Sequence, residues 1–145
     1  MRPPSIVTFE RLFLASLALS VITFIVGYGA MMEQSEREPA LQQLGLGGGF
    51  VTGAFAVGVA VYLLLWFLIA RKASRVAKWI LVVLSAIGVA SFLYSLVTGE
   101  VRLDLSAMLG AAYYVLEIAA VVFVFRTDAS AWFRKEEKAE PAAVD

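Results

Sequence analysis

The 145-residue chain contains no cysteine, no histidine and no asparagine. Without cysteine it can form neither a disulfide nor a thiolate metal site, and without histidine it has no imidazole base or ligand. The lack of asparagine also removes every N-glycosylation acceptor. We therefore expect a protein that is not an enzyme and that carries no metal and no cofactor.

Charged residues are also scarce. They make up 17% of the chain, against 61% hydrophobic residues, and the mean hydropathy is +0.82. Soluble domains are roughly 45–50% apolar and about 25% charged. A chain this short cannot hide the surplus apolar surface in its own interior. The composition predicts an integral membrane protein whose main partner is the lipid bilayer.

Four apolar runs of 21 residues each cover 12–32, 50–70, 79–99 and 105–125. A helix of this length spans about 31 Å, which matches a hydrocarbon core of about 30 Å. The runs show no polar stripe for water, so a soluble helical bundle is disfavoured. The first run is too long for the apolar core of a signal peptide, and we expect a retained helix. The fold class predicted is an all-α membrane protein, a four-transmembrane-helix bundle forming one domain over residues 1–133.

Charge is distributed unequally between the two sides of this bundle. The N-terminal tail, the second connection and the C-terminal tail together hold ten basic residues, whereas the other side has only Arg37 and Arg102. Basic residues favour the cytoplasmic side, so both termini are predicted to be cytoplasmic. The second connection and the tryptophans beside it predict contacts with lipid headgroups rather than nucleic acid, at Arg71, Lys72, Arg75, Lys78, Trp79 and Trp132.

The connections predict two short helices outside the spans. Residues 38–44 could form one of them, with Pro39 at its first position, before a glycine-rich joint. After the fourth span, Asp128 could cap a short C-terminal helix that lies along the membrane interface. We expect residues 134–145 to form a polar cytoplasmic tail.

Small residues recur at four-residue spacing, which lets helices approach closely in lipid. Packing within the bundle and contact with a partner subunit both remain open interpretations of these pairs. They are Gly49/Gly53, Ala54/Gly58, Ala56/Ala60, Ser106/Gly110 and Ala107/Ala111.

Glu117 is the only charged residue inside the four runs, near the middle of the fourth. An acid at this depth costs about 2.5–3.5 kcal/mol, so its helix face should point inward, together with Tyr113 and Tyr114. Depth counting places Tyr62 and Ser20 level with it and Ser85 within one turn, and a hydrogen bond from Tyr62 or Ser20 would satisfy a neutral acid. Three roles remain open: interhelical glue, a titrating or ligand-contacting acid, and a contact to another subunit.

Two patterns in the second half of the chain resemble small uncharacterised bacterial inner-membrane proteins with four helices. They are the basic turn 71–78 leading into Trp79-Ile80-Leu81, and the ending from Phe125 to Phe133. The resemblance implies a multi-pass protein of the bacterial inner (plasma) membrane and implies no activity. The four-helix multidrug transporters also use an intramembrane glutamate, but in their first helix, so that likeness ends at size and helix count.

These observations favour a non-enzymatic integral membrane protein, an accessory or assembly subunit of a membrane complex or a homo-oligomer. The alternative is a small proton-coupled transporter or channel that uses Glu117. Neither hypothesis involves nucleic acid or an evident soluble substrate. The partners expected are other membrane subunits or further copies of this chain.

The charge asymmetry leads to a test of the topology. A reporter that is active only in the cytoplasm, fused after Asp145, should be active, because ten basic residues hold that side inside. The same reporter fused within the first connection should be silent. A reporter that works only outside the cytoplasm and is active at Asp145 would contradict the predicted orientation.

Overall fold

The computed structural model describes residues 2–37, 39–45, 47–99 and 104–137, which form helices and no strand. Four of the helices in this part of the chain are long and apolar enough to cross a membrane, as the sequence predicts. The helices are α1 (Pro4–Arg37), α2 (Pro39–Gln43), α3 (Gly48–Ala70), α4 (Arg75–Val97), α5 (Leu105–Val124) and α6 (Thr127–Glu137).

Helix α1 is much longer than the apolar run that predicts it. Its 34 residues extend about 51 Å, against a hydrocarbon core of about 30 Å. Charged residues end the apolar run on its N-terminal side, but the helix continues through them. Glu10 forms ion pairs with Arg2 and Arg71, which stabilise these added turns. The added turns also bury Ile6 and Phe9 completely. The first helix therefore begins eight residues before the predicted span.

The other helix ends follow local capping. Ser74 precedes α4 and its hydroxyl accepts from the Ala77 amide at 3.2 Å, while Asp104 caps α5 by accepting from the Ala107 amide at 3.0 Å. Both caps satisfy amides that have no partner within a helix. The short helix predicted after Pro39 is present as α2. Glu38, at its predicted start, lies outside the described residues.

The four long helices form a closed ring of contacts. Helix α1 packs against α3 and, most extensively, against α5, while α4 packs against α3 and α5. Helices α3, α4 and α5 are thus sequential neighbours, as their short connections predict. We call the end with Pro4, Ala70, Arg75 and Val124 the basic end, and the opposite end the acidic end.

The hydrophobic core is concentrated at the basic end. Buried residues from all four long helices meet there, together with two residues of α6. Phe9 and Phe13 stack beside each other on α1 with ring centroids 5.4 Å apart. The core consists of Ile6, Phe9, Phe13, Leu65, Ile69, Ala70, Ala73, Ala77, Leu81, Ala120, Val124, Ala129 and Phe133.

Helix α6 docks on the basic end and buries Ala129 and Phe133 against the bundle. Asp128 is the second residue of this helix, which begins at Thr127. Its carboxylate accepts from the Ser5 hydroxyl at 2.6 Å and from the Ser5 amide at 3.1 Å. The expected role of Asp128 as a cap of its own helix thus needs correction, since its carboxylate also caps the N-terminus of α1. Helix α6 runs to Glu137, past the predicted boundary at residue 133, and residues 138–145 lie outside the described residues.

The Ser5–Asp128 contact should make stability depend on pH. The hydrogen bonds from Ser5 hold the pKa of Asp128 below its usual value of 3.8. A carboxyl group whose pKa is lower in the folded state stabilises the fold above its unfolded pKa, and this contribution disappears as the pH falls through the folded pKa. We expect Asp128→Asn to unfold at a lower temperature than wild type near pH 6.

The difference in melting temperature between wild type and Asp128→Asn should shrink between about pH 5 and pH 2, because protonation removes the same interaction from wild type. Ser130→Ala is the matched control, since the Ser130 hydroxyl donates within α6 to the Arg126 carbonyl. A difference that stays constant over this range would show that the Asp128 charge does not hold α6 to α1.

Candidate functional site around Glu117

Glu117 is completely buried in the middle of α5. The Ser85 hydroxyl of α4 donates to its Oε1 at 2.8 Å. The inward orientation predicted for this residue is therefore correct. Of the two partners expected, Tyr62 interacts with the same carboxyl group, whereas Ser20 does not donate to it. The bond from Ser85 joins two neighbouring helices, which suits the role of interhelical glue.

Local geometry holds the two expected partners in different ways. The Ser20 hydroxyl donates to the Leu17 carbonyl in its own helix at 2.7 Å. The Tyr62 ring stacks on Phe13 with centroids 5.9 Å apart. Equal depth along the membrane normal is therefore not enough to predict a contact. Helices α1 and α4 both pack against α5, but of Ser20 and Ser85 only the Ser85 hydroxyl is directed at the carboxyl group, while the Ser20 hydroxyl is bonded within α1.

Three tyrosines surround the carboxyl group and complete what we call the Glu117 cluster, which comprises Glu117, Ser85, Tyr62, Tyr113 and Tyr114. All three interact electrostatically with Glu117. The second carboxyl oxygen, Oε2, has no hydrogen-bond partner among the described residues. Buried polar oxygens are normally bonded, and Tyr62 and Tyr113 are the hydroxyl-bearing neighbours that interact with this carboxyl group.

Tyr113 and Tyr114 are positioned by aromatic packing and by one glycine. Their rings meet edge to face at 4.8 Å, and Tyr114 lies 5.0 Å from the ring of Phe92. A Cβ atom at Gly88 would lie only 3.2 Å from the Tyr114 ring. Gly88 thus lets α4 approach this tyrosine closely.

A cavity of about 510 Å³ lies between the long helices in the half of the bundle nearer the acidic end. We call it the acidic-end cavity. A second cavity of about 240 Å³ reaches Tyr62 and shares Ser20, Phe55 and Tyr113 with the first. The larger cavity is lined by Ser20, Thr23, Phe24, Gly27, Ala30, Met31, Phe55, Phe92, Asp104, Ser106, Ala107, Gly110, Tyr113 and Tyr114.

The side chains next to Glu117 line cavities on one side and belong to the packed core on the other. Tyr113, one helical turn away on α5, lines both cavities. In the other direction, Ala120 and Val124 belong to the packed core together with Phe13. The cluster thus lies between an open half and a closed half.

The residues predicted to contact lipid headgroups gather at the basic end, apart from the Glu117 cluster. Lys72 and Trp79 are exposed, as is Arg75, which interacts within the chain. Half-buried Trp132 packs against the core with its indole Nε1 unbonded among the described residues.

Arg71 and Lys78 combine charge with aromatic contacts at this end. Arg71 pairs with Glu10 at 3.4 Å and lies over the Trp66 ring. The Lys78 ammonium lies 4.3 Å from the centroid of the Phe125 ring. Glu10 thus joins two basic segments, a role that was not predicted although Glu10 is the only acid between Met1 and the first apolar run.

The groups of this site can take part in hydrogen bonding, proton exchange and ligand contact. Within the described residues, no group of three or more histidine, cysteine, aspartate or glutamate side chains could hold a metal ion. No family model matches the chain, and no curated protein and no solved structure is significantly similar to it.

The Ser85–Glu117 bond predicts unequal effects of two substitutions. Glu117→Gln keeps an acceptor for Ser85 and should leave the free energy of unfolding nearly unchanged. Glu117→Ala strands the Ser85 hydroxyl and should cost about 0.6–1.7 kcal/mol, the range for such bonds in bilayers. Equilibrium unfolding in mixed micelles measures both changes.

Ser85→Ala combined with Glu117→Ala isolates the coupling energy between the two side chains. Ser91→Ala is the control, because Ser91 lies on the same helix but is exposed. If the double variant loses the full sum of the two single losses, the hydrogen bond contributes nothing to stability.

Proposed function

We propose that the protein is a non-enzymatic integral membrane component that acts by assembly, either as an accessory subunit of a membrane complex or as a homo-oligomer. The observation that carries the proposal is a row of exposed small residues on one face of α3: Gly49, Gly53, Ala56 and Ala60. We call this row the α3 stripe. Its spacing of four, three and four residues keeps it on one side of the helix.

Small residues at the contacts that α5 makes with α4 and α1 differ from the α3 stripe in having close neighbours. A Cβ atom at Gly110 would lie 3.5 Å from the Phe92 ring, and one at Gly27 would lie 3.7 Å from the Ser106 hydroxyl, so these positions already face neighbouring helices. By contrast, a Cβ atom at Gly49 or Gly53 would meet nothing within 4 Å. Small residues on a helix in lipid favour close contact with another helix, and the α3 stripe has none within the described chain.

The proposal includes a location and an orientation. The resemblance to small four-helix proteins supports the bacterial inner membrane. The excess of basic residues at the basic end supports a cytoplasmic position for that end and for both termini. The α3 stripe begins at the acidic end, so a partner helix would meet α3 mainly in the outer leaflet.

The assembly proposal predicts sensitivity to bulk on the α3 stripe. Gly53→Leu should reduce the fraction of the protein that elutes as a larger complex from mild detergent, because the side chain holds the partner helix away. The measurement is size-exclusion chromatography with light scattering, combined with cross-linking in native membranes. Ala86→Leu, on an exposed face of α4, is the matched control. A monomeric wild type without cross-linked partners would contradict the proposal.

A small proton-coupled transporter or channel is the second candidate function. It is favoured by the position of Glu117 between the acidic-end cavity and the packed half of the bundle. A buried acid beside a cavity can exchange a proton with groups that reach the cavity. The closed basic half would have to open in another conformation, and an assembly through α3 could contribute to the pathway.

This second function makes Glu117→Gln the decisive variant. In liposomes, wild type would take up protons in response to a substrate or a pH gradient, whereas Glu117→Gln would be inactive while folding normally, because an amide cannot exchange a proton in this way. Ser91→Ala should transport like wild type. Equal proton fluxes in wild type, Glu117→Gln and protein-free liposomes would contradict it.

A further inference from the structure

We propose that the acidic-end cavity is a binding site for an amphipathic organic cation, a quaternary or tertiary ammonium with an aromatic or alkyl body. A cation-binding site goes beyond the assembly function proposed above and does not require it. The cavity lies within one chain, whereas the α3 stripe faces outward.

The size and walls of the cavity fit a small amphipathic molecule. Pockets for such ligands usually measure about 300–1,000 Å³, and this one is about 510 Å³. Phe24 and Phe55 stack face to face in the wall, with centroids 4.0 Å apart, and Phe92 packs on Tyr114 across the cavity lining. Aromatic faces on several sides suit an apolar body and also attract a cation through their negative faces.

The charge of the lining distinguishes among ligands. Asp104 is its only charged member, and no lysine or arginine lines the cavity within the described residues. One Asp104 oxygen accepts from the Ala107 amide, and the residue is exposed at the rim. An anionic ligand would meet only a carboxylate of the same sign, whereas a cation would gain both this carboxylate and the aromatic faces.

Two of the five hydroxyl groups in the cavity wall already donate hydrogen bonds within the protein. Ser20 and Thr23 donate to the carbonyls of Leu17 and Leu19 in their own helix, at 2.7 and 2.9 Å. The hydrogen atoms of these two hydroxyls are therefore not free for a sugar or a polyol, and Ser106, Tyr113 and Tyr114 carry the other three hydroxyls of the wall. Recognition through aromatic faces and one carboxylate, without demanding hydrogen bonds, is the chemistry that binds alkylated ammonium groups. We infer that the ammonium lies near Asp104 and the apolar body between the aromatic rings.

The test compares two probes with the same body. The full-length protein in zwitterionic lipid nanodiscs is titrated calorimetrically with (4-phenylbutyl)trimethylammonium and with uncharged 4-phenylbutanol, and empty nanodiscs provide the partitioning baseline. We expect the cation to bind about tenfold more tightly than the alcohol. Equal affinities, or no binding above empty nanodiscs, would overturn the proposal without recourse to any variant.

Variants then locate the site. Asp104→Asn should weaken cation binding about fivefold and leave alcohol binding unchanged, since asparagine also caps helices well. Glu36→Gln, an exposed acid outside the cavity on the same side, should change the binding of neither probe.

Thr23→Trp fills the cavity and should abolish binding of both probes, whereas Val21→Trp on the exposed face of α1 should not. Cation binding that survives Thr23→Trp would place the site elsewhere and overturn the proposal. Oligomeric state is measured separately, so failure of assembly leaves this result intact.

Discussion

The burial of the Glu117 carboxyl constrains how the helices of this protein can be arranged. A carboxyl group surrounded by apolar helices is costly unless a donor reaches it, and Ser85 on α4 supplies that donor. Helix α4 must therefore lie against α5 with one particular face inward. Gly88, one turn further along α4, then faces Tyr114, and Phe92 comes next to the same ring. A single polar contact thus fixes the register of two helices whose apolar surfaces alone would allow several.

The bundle divides into a packed half and an open half, and the division has a physical origin in the side chains. At the basic end, Phe9, Phe13, Ile69 and Leu81 interdigitate with alanines of α4 and α5, and α6 covers the end. Toward the acidic end, small residues such as Gly27 and Ala30 replace the large ones on α1, so the helices enclose space instead of filling it. An interior of this kind is unusual, because protein cores normally pack as densely as organic crystals. The open half is where ligand binding is physically possible.

Much of the fold could be predicted from the sequence, because apolar runs of bilayer length leave few alternatives to helices. The four long helices, their sequential packing and the inward face of Glu117 all follow from run length, loop length and helical periodicity. The donor to Glu117 could not be predicted in the same way, since depth counting gives the level of Ser20, Tyr62 and Ser85 along the bundle but not the direction in which each hydroxyl points. The bridge between Ser5 and Asp128 was equally hidden, as it joins residues 123 positions apart. The acidic-end cavity depends on side-chain volumes from four helices at once, which no single segment reveals.

The length of α1 has a mechanical consequence. Because the helix runs from Pro4 to Arg37 without a break, it connects the docking site of α6 at one end with the α1–α2 connection at the other. A rod about 51 Å long that tilts by about 5° around its centre displaces its ends by about 2 Å in opposite directions. Its N-terminal end is held by polar contacts from Asp128 and Glu10, whereas its other half is held only by packing, such as Phe24 on Phe55 and Gly27 against Ser106. Tension or a bound molecule at the C-terminal end of α1 would therefore also load the polar contacts at its N-terminal end, at the opposite end of the bundle.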